Sequence, residues 1–381
     1  MMSISNKQRS KKTQLKNHSM FQKVYGKLNK NVVLQEMESL ESAKYSTDNY
    51  ITPLKLASFG NISISSACNY YRGNDITCPS SELLLKSIRE VDPEITTIHI
   101  NQALREQFLT SERKIRQGFR KHGVVIVDFH EDPYYGSADT KNIIKGKVKK
   151  SSNLFFSYLT AELWSPWGRL TIACLPRKSG ESIYDQFFDL YALFSQIVNP
   201  KLILLDGEFS TVKLMKKLQE LDIKFIARAP ISNRVKPHAI SYELTSDWVE
   251  LRKFRAITLL DKTKTVSVTV KLTFQQTAGG IRGIFTSMSY NGSPSDAVLW
   301  YKRRFGIESG YRDKHPFQAR TCSTSLSIRL ILYLFAILVS NCIQIFWYLV
   351  RKVNNKKMSK FTQWRREMRT LRLFILKDDL L

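Results

Sequence analysis

The chain has 381 residues, 43% of them hydrophobic, and sets 59 Lys and Arg against 33 Asp and Glu for a formal net charge of +26. That composition excludes a disordered chain and is ample for a core spread over two or three domains. So large a basic excess implies a polyanionic partner: DNA, RNA or an anionic membrane surface. Residues 1–30 hold eight basic residues and no acid, and 351–377 hold ten with only Glu367 opposing, so both ends read as electrostatic arms. Five cysteines, at 68, 78, 174, 322 and 342, are too scattered for a disulfide framework and fit a reducing compartment. Cys68 and Cys78 lack the CxxC spacing or nearby His of a zinc site and read as ordinary thiols.

Residues 1–80 are basic, rich in Ser and Asn, and poorly periodic. Ser80 or Ser81 caps a predicted helix through about Val91, with Leu83, Leu84 and Ile88 as its apolar positions. Further helices are predicted around 100–108 and 111–121, with Gly123 beyond the second. Arg113, Lys114, Arg116, Arg120 and Lys121 make the latter either a solvated face or part of a bundle that binds DNA ends.

Residues 124–127 (VVIV) form a buried strand, and 154–162 and 168–175 pair as a hairpin across a turn at Pro166 and Gly168. A helix over 181–198 carries Ile183, Phe187, Leu190, Tyr191 and Phe194 at core spacing. The strand 202–205 (LILL) ends at Asp206, Ser210 caps a helix through Leu214, Leu218 and Leu221, and 223–227 is another strand. Three strands before the first helix give a ribonuclease-H-like order, not a Rossmann one. Residues 248–261, 265–276 and 280–288 make a β-rich insertion, and helical structure resumes near Ala297.

The expected fold is therefore α/β (α+β): a ribonuclease-H-like mixed sheet flanked by helices, interrupted by a β-rich insertion, with an N-terminal helical region. The expected parts are a basic arm and helical region at 1–122, the first part of the core at 123–229, and the insertion at 230–292. The second part of the core, at 293–350, and a basic tail at 351–381 complete the chain. Residues 330–350 run 21 positions without a charge, long enough to cross a bilayer. Ser340, Asn341 and Gln344 cluster near its centre, so a helix buried in a large core is expected, with no membrane partner. No signal-peptide run opens the chain, and the expected location is cytoplasmic.

The chemistry concentrates in three acids. Asp128 and Asp206 each directly follow an apolar strand run. In 301–312 (YKRRFGIESGYR) the positions Tyr301, Arg304, Glu308, Tyr311 and Arg312 fall on one helix face about 100° wide. A single acid inside a basic, aromatic stripe suits a metal ligand held beside phosphates. Asp128 and Asp206 share a divalent cation if their strands are neighbours, and Glu308 completes the pocket from its helix. Mg²⁺, with Mn²⁺ as the alternative, prefers such oxygen donors. Two ions about 4 Å apart activate a water or 3′-hydroxyl and stabilise the leaving oxygen. Taken singly, an Asp after a strand is often only a cap or turn residue, and Asp132, Glu131 and Glu208 are rival ligands.

At these residues the chain resembles transposases of the DDE class, from the insertion sequence family four group. That group's signature is Tyr, two residues, Arg, three residues, Glu, six residues, Lys; Tyr301, Arg304 and Glu308 match its spacing. The runs DFHEDPYYG at 128–136 and DGEFST at 206–211 resemble the group's segments around its first and second aspartates. Its members also carry a β-rich insertion between the second aspartate and the glutamate. The likeness covers roughly 120–345. The lysine position falls on His315, followed by Pro316, so the helix is expected to end there, and either Lys314 or Arg312 supplies the phosphate contact or that contact is lost.

The resemblance implies hydrolysis at transposon ends, then attack of the freed 3′-hydroxyl on target DNA. Asp128, Asp206 and Glu308 would hold the metals; Tyr301, Arg304, Arg312 and Lys314 would contact DNA near the cleaved end. Helix packing is the alternative for Tyr301 and Arg304. The implied partners are double-stranded DNA, as terminal inverted repeats and target, and a second copy of the chain on paired ends, at a prokaryotic nucleoid. The five lysines of 141–150 either add sequence-independent affinity or form a solvated loop. Trp248 and Trp300 either stack on a flipped base or, preferably, pack in the core. The rival functions are a structure-selective nuclease of the same fold and a catalytically inactive DNA-binding descendant.

Overall fold

The structure, a computed structural model, describes residues 45–149, 151–230, 235–239, 247–257, 265–277 and 280–354. The basic arm at 1–30 and nearly all of 351–377 lie outside those residues. The chain divides into two compact units. One, mainly helical, comprises Met1–Gln117, Pro166–Thr171 and Arg312–Leu381; the other, built on a sheet, comprises Gly118–Ser165 and Ile172–Tyr311.

Among the described residues, the order opens with the helices α1 (Thr47–Gly60), α2 (Ile64–Gly73), α3 (Ser81–Glu90), α4 (Pro93–Thr110) and α5 (Arg113–His122). The caps read from sequence hold for α3, where the Leu83 N–H donates to Ser80 Oγ at 3.2 Å. At α4, Asp92 accepts from the Glu94 N–H and Pro93 occupies the first turn, where a missing donor costs little. Helices α1 and α2 were not legible. Pro53 interrupts the pattern of α1, and Lys55 and Ser58 are buried beside Leu54 and Ala57, so no clean apolar stripe marks it.

The sheet unit follows with β1 (Val124–Tyr134), β2 (Ile144–Lys149), β3 (Ser152–Ser165), β4 (Gly168–Pro176), α6 (Ile183–Ser195), β5 (Leu202–Leu205), α7 (Val212–Glu220) and β6 (Phe225–Ala229). Then come β7 (Val249–Ile257), β8 (Thr265–Thr277), β9 (Gly280–Thr286) and α8 (Pro294–Lys314). The strand order is β2-β3-β1-β5-β6-β9-β8-β7, with β4 also pairing β3. Around β1 the pairing is β3 antiparallel to it, β5 parallel to it, and β6 parallel to β5, so the strands that lead into Asp128 and Asp206 are neighbours. The sheet is mixed and flanked by helices.

Alternation fixes the two faces. Val124, Ile126, Leu202, Leu204, Ile226 and Ile284 form one buried layer with Ala297 and Tyr301 of α8. Val125, Val127, Ile203 and Leu205 point the other way and are fully buried. Helix α6 packs on β3 and α7 on β7 and β8.

Four expectations are refined in detail. Strand β1 does not stop at Val127 but runs to Tyr134, because β3 continues to pair with it after β5 has ended. Residues 144–149, for whose lysines a solvated loop was one of two readings, are the edge strand β2, with everything beyond Ile144 exposed. Within the β-rich insertion, β9 pairs β6, and β8 and β7 extend the same sheet. Thr211, not Ser210, caps α7, because the Ser210 hydroxyl donates to the Arg228 carbonyl instead.

The last helix among the described residues, α9 (Leu326–Asn354), belongs to the helical unit and contacts α1, α3 and α4. Its apolar window is 94% buried within the protein. The polar residue at its centre is matched: Asn341 donates to Gln107 Oε1 and to the Thr171 carbonyl, both at 2.9 Å, and accepts from the Thr171 N–H at 3.0 Å. A fully paired amide inside an apolar helix fits burial among partners, as its polar cluster implied.

Candidate active site

Strands β1 and β5 run parallel, and their pairing ends at Val127 and Leu205. The next residue on each is an aspartate. Functional groups of open α/β sheets gather at such carboxyl ends. Asp128 continues within β1 and Asp206 opens the single turn Gly207–Phe209. Both carboxylates converge on one side chain. Arg304 Nη1 stands 2.7 Å from Asp128 Oδ2, and Arg304 Nη2 stands 3.1 Å from Asp206 Oδ1. The second oxygen of Asp128 accepts from the Phe129 N–H at 2.9 Å.

Helix α8 delivers that arginine. Tyr301, one turn earlier, is wholly buried in the core layer, and the Arg304 guanidinium lies 5.2 Å from its ring centre. The Arg304 side chain is 4% exposed, Asp128 12% and Asp206 32%, so the cluster opens to water on the Asp206 side. Burial above all, reinforced by the charge of Asp206, pushes Asp128 up to about 7, against the pull of Arg304.

Two of the three rival acids, Glu131 and Glu208, pair with other cations. Glu131 pairs with Lys149. Glu208 pairs with Arg177 at 3.2 Å, and Arg177 in turn lies 4.2 Å from the centre of the Phe129 ring. Glu308 lies within α8, but its side chain, like that of Arg312, is outside the described residues. Helix α8 ends at Lys314, just before the His315–Phe317 turn, as the proline predicted. Lys314 itself is buried. Trp300 is half-buried against Trp164, with Arg303 over both rings, and Trp248 packs beside Tyr290.

One acid escaped the sequence reading. Glu162 on β3 is 1% exposed and sits opposite Ile126, two residues along from the Asp128 partner Thr160, hence on the Asp128 face. Its charge is among those raising Asp128. A lone acid inside the apolar run LFFSYLTAELW was the available signal.

Two carboxylates aimed at one buried cation are a hard-oxygen donor set, which fits a divalent metal such as Mg²⁺. Among the described residues no group of three or more metal-type side chains converges. The pair would need a further ligand.

No family model matches the chain, and no curated protein does. Among solved structures, the cryo-EM structure of a piggyBac transposase synaptic complex with hairpin DNA is similar, with a TM-score of 0.51. The match covers 92% of this chain and 77% of that one at 13% identity. The fold resembles that of a transposase. At that identity the likeness speaks to architecture alone.

Proposed function

We propose that the protein is a DNA transposase that cuts transposon ends and joins the freed 3′-hydroxyls to target DNA. The observation that carries this reading is the convergence of Asp128 and Asp206 at the ends of two parallel strands, on a helix that also bears Glu308. The transposase-like fold supports it, as does the match of Tyr301, Arg304 and Glu308 to the family four signature.

In this reading Asp128, Asp206 and Glu308 hold Mg²⁺ or Mn²⁺. The ions supply an activated oxygen nucleophile and stabilise the leaving oxygen. The chain's own residues position and neutralise. Arg304 balances the two aspartates, Tyr301 anchors its helix, and the exposed lysines of β2 hold DNA backbone without reading sequence. The partners are terminal inverted repeats, target DNA and a second copy of the chain, in the prokaryotic cytoplasm at the nucleoid.

Purified protein incubated with labelled DNA from both flanks of its own gene tests this. Cuts confined to the gene's ends, dependent on Mg²⁺ and abolished by EDTA, are expected. Cutting of branched DNA regardless of those ends would instead favour a structure-selective nuclease.

A further inference from the structure

We propose that Arg304 is the site's built-in counter-ion, held between Asp128 and Asp206 where a divalent cation must bind, so that metal enters only as Arg304 leaves. This rests on the metal-dependent reading above.

Adjacent nitrogens of a single guanidinium engage both carboxylates, at 2.7 and 3.1 Å. Two neighbouring carboxylates cannot both stay charged in a buried site without a cation between them. A guanidinium cannot be deprotonated in a protein, so base does not strip its charge. At constant pH, a competing cation for the carboxylates or a competing anion for the guanidinium releases it.

The geometry gives that exchange a direction. The contact to Asp206 is the longer, and Asp206 is the more exposed acid, at 32% against 12% for Asp128. An ion arriving from water therefore meets the weaker contact first. The released guanidinium needs a new anion, and a DNA phosphate offers the bidentate acceptor it prefers. Metal entry and phosphate entry are thereby linked, each raising the affinity for the other. The site stays closed to free metal until DNA arrives.

The test is Mn²⁺ binding to the full chain without DNA, read from the electron paramagnetic resonance signal of free Mn²⁺. Arg304→Gln should bind about ten- to a hundredfold more tightly than wild type, the size of one or two charge-assisted hydrogen bonds. Adding Asp206→Asn to Arg304→Gln should erase the gain, which places it at this site. Arg304→Lys, holding one carboxylate at a time, should fall between. Should thermal melting show Arg304→Gln unfolded, the lysine variant carries the test and must bind more tightly than wild type. Affinity that depends on Asp206 but does not rise in the Arg304 variants overturns the inference and leaves the metal reading standing. No binding sensitive to Asp206→Asn in any variant overturns both.

Discussion

The carboxylate of Asp128 and the guanidinium of Arg304 lie 2.7 Å apart although 176 positions separate them in the chain. Strand β1 fixes one partner and helix α8 the other, and the layer formed by Ile126, Leu204 and Tyr301 clamps strand to helix. The ion pair is therefore held by packing that does not depend on its own strength. Breaking one side of a buried pair costs about 3–5 kcal/mol. Such a site is stable only while every charge in it is answered.

The pH dependence of stability follows from Asp128. Its carboxyl, pushed up to about 7 chiefly by burial, binds a proton in the folded state over a range where the unfolded chain, at an ordinary 3.8, has released it. The stabilising contribution is full below about pH 4 and is lost as pH rises through about 7. Asp128→Asn cannot ionise and lacks that loss. Its melting temperature relative to wild type should climb between about pH 4 and about pH 7. A constant difference across that range would mean that Asp128 stays charged throughout.

Tyr301 separates packing from a DNA role. Its ring is in the core, so Tyr301→Ala should cost about 3–5 kcal/mol in denaturant unfolding. Tyr301→Phe keeps the ring and should cost less than about 1.5 kcal/mol. Unchanged end cleavage in the phenylalanine variant is the expected result. A large loss of cleavage at unchanged stability would show that the hydroxyl acts on DNA.

The polar centre of α9 makes its own prediction. Asn341→Ala strips partners from the backbone of Thr171 and from Gln107, all buried. Unfolding in urea should show a loss of at least about 3 kcal/mol, about 1 for each of the three buried groups left unsatisfied.

The edge strand β2 presents Lys145 and Lys147 to solvent. Such lysines also deter edge-to-edge pairing, so exposure alone does not make them DNA contacts. If both face phosphates, replacing them with Ala should flatten the salt dependence of duplex binding by up to about 2 in log–log slope, equally for any sequence. An unchanged slope would leave them only the protective role.

Much of this architecture was legible because alternation and turn chemistry are local. The runs VVIV and LILL announced two buried strands, and the acids directly after them marked where those strands part. Other features depended on distant partners. Strand β1 outruns its apolar run because β3 keeps pairing with it, which no local pattern encodes. Helix α1 hid behind Pro53 and buried polar side chains. The basic-aromatic stripe identified Arg304, but not that its charge would be spent on both aspartates. That follows only from the packing of α8 across the sheet.

The most direct measurement is single-turnover cleavage of gene-end DNA in Mg²⁺ by wild type and by Asp206→Asn, both confirmed folded. Wild type should release 3′-hydroxyl ends, and the variant should be slower by at least about a thousandfold, as expected when a ligand of the catalytic metal is lost. Cleavage by Asp206→Asn at the wild-type rate would contradict the assignment of this site.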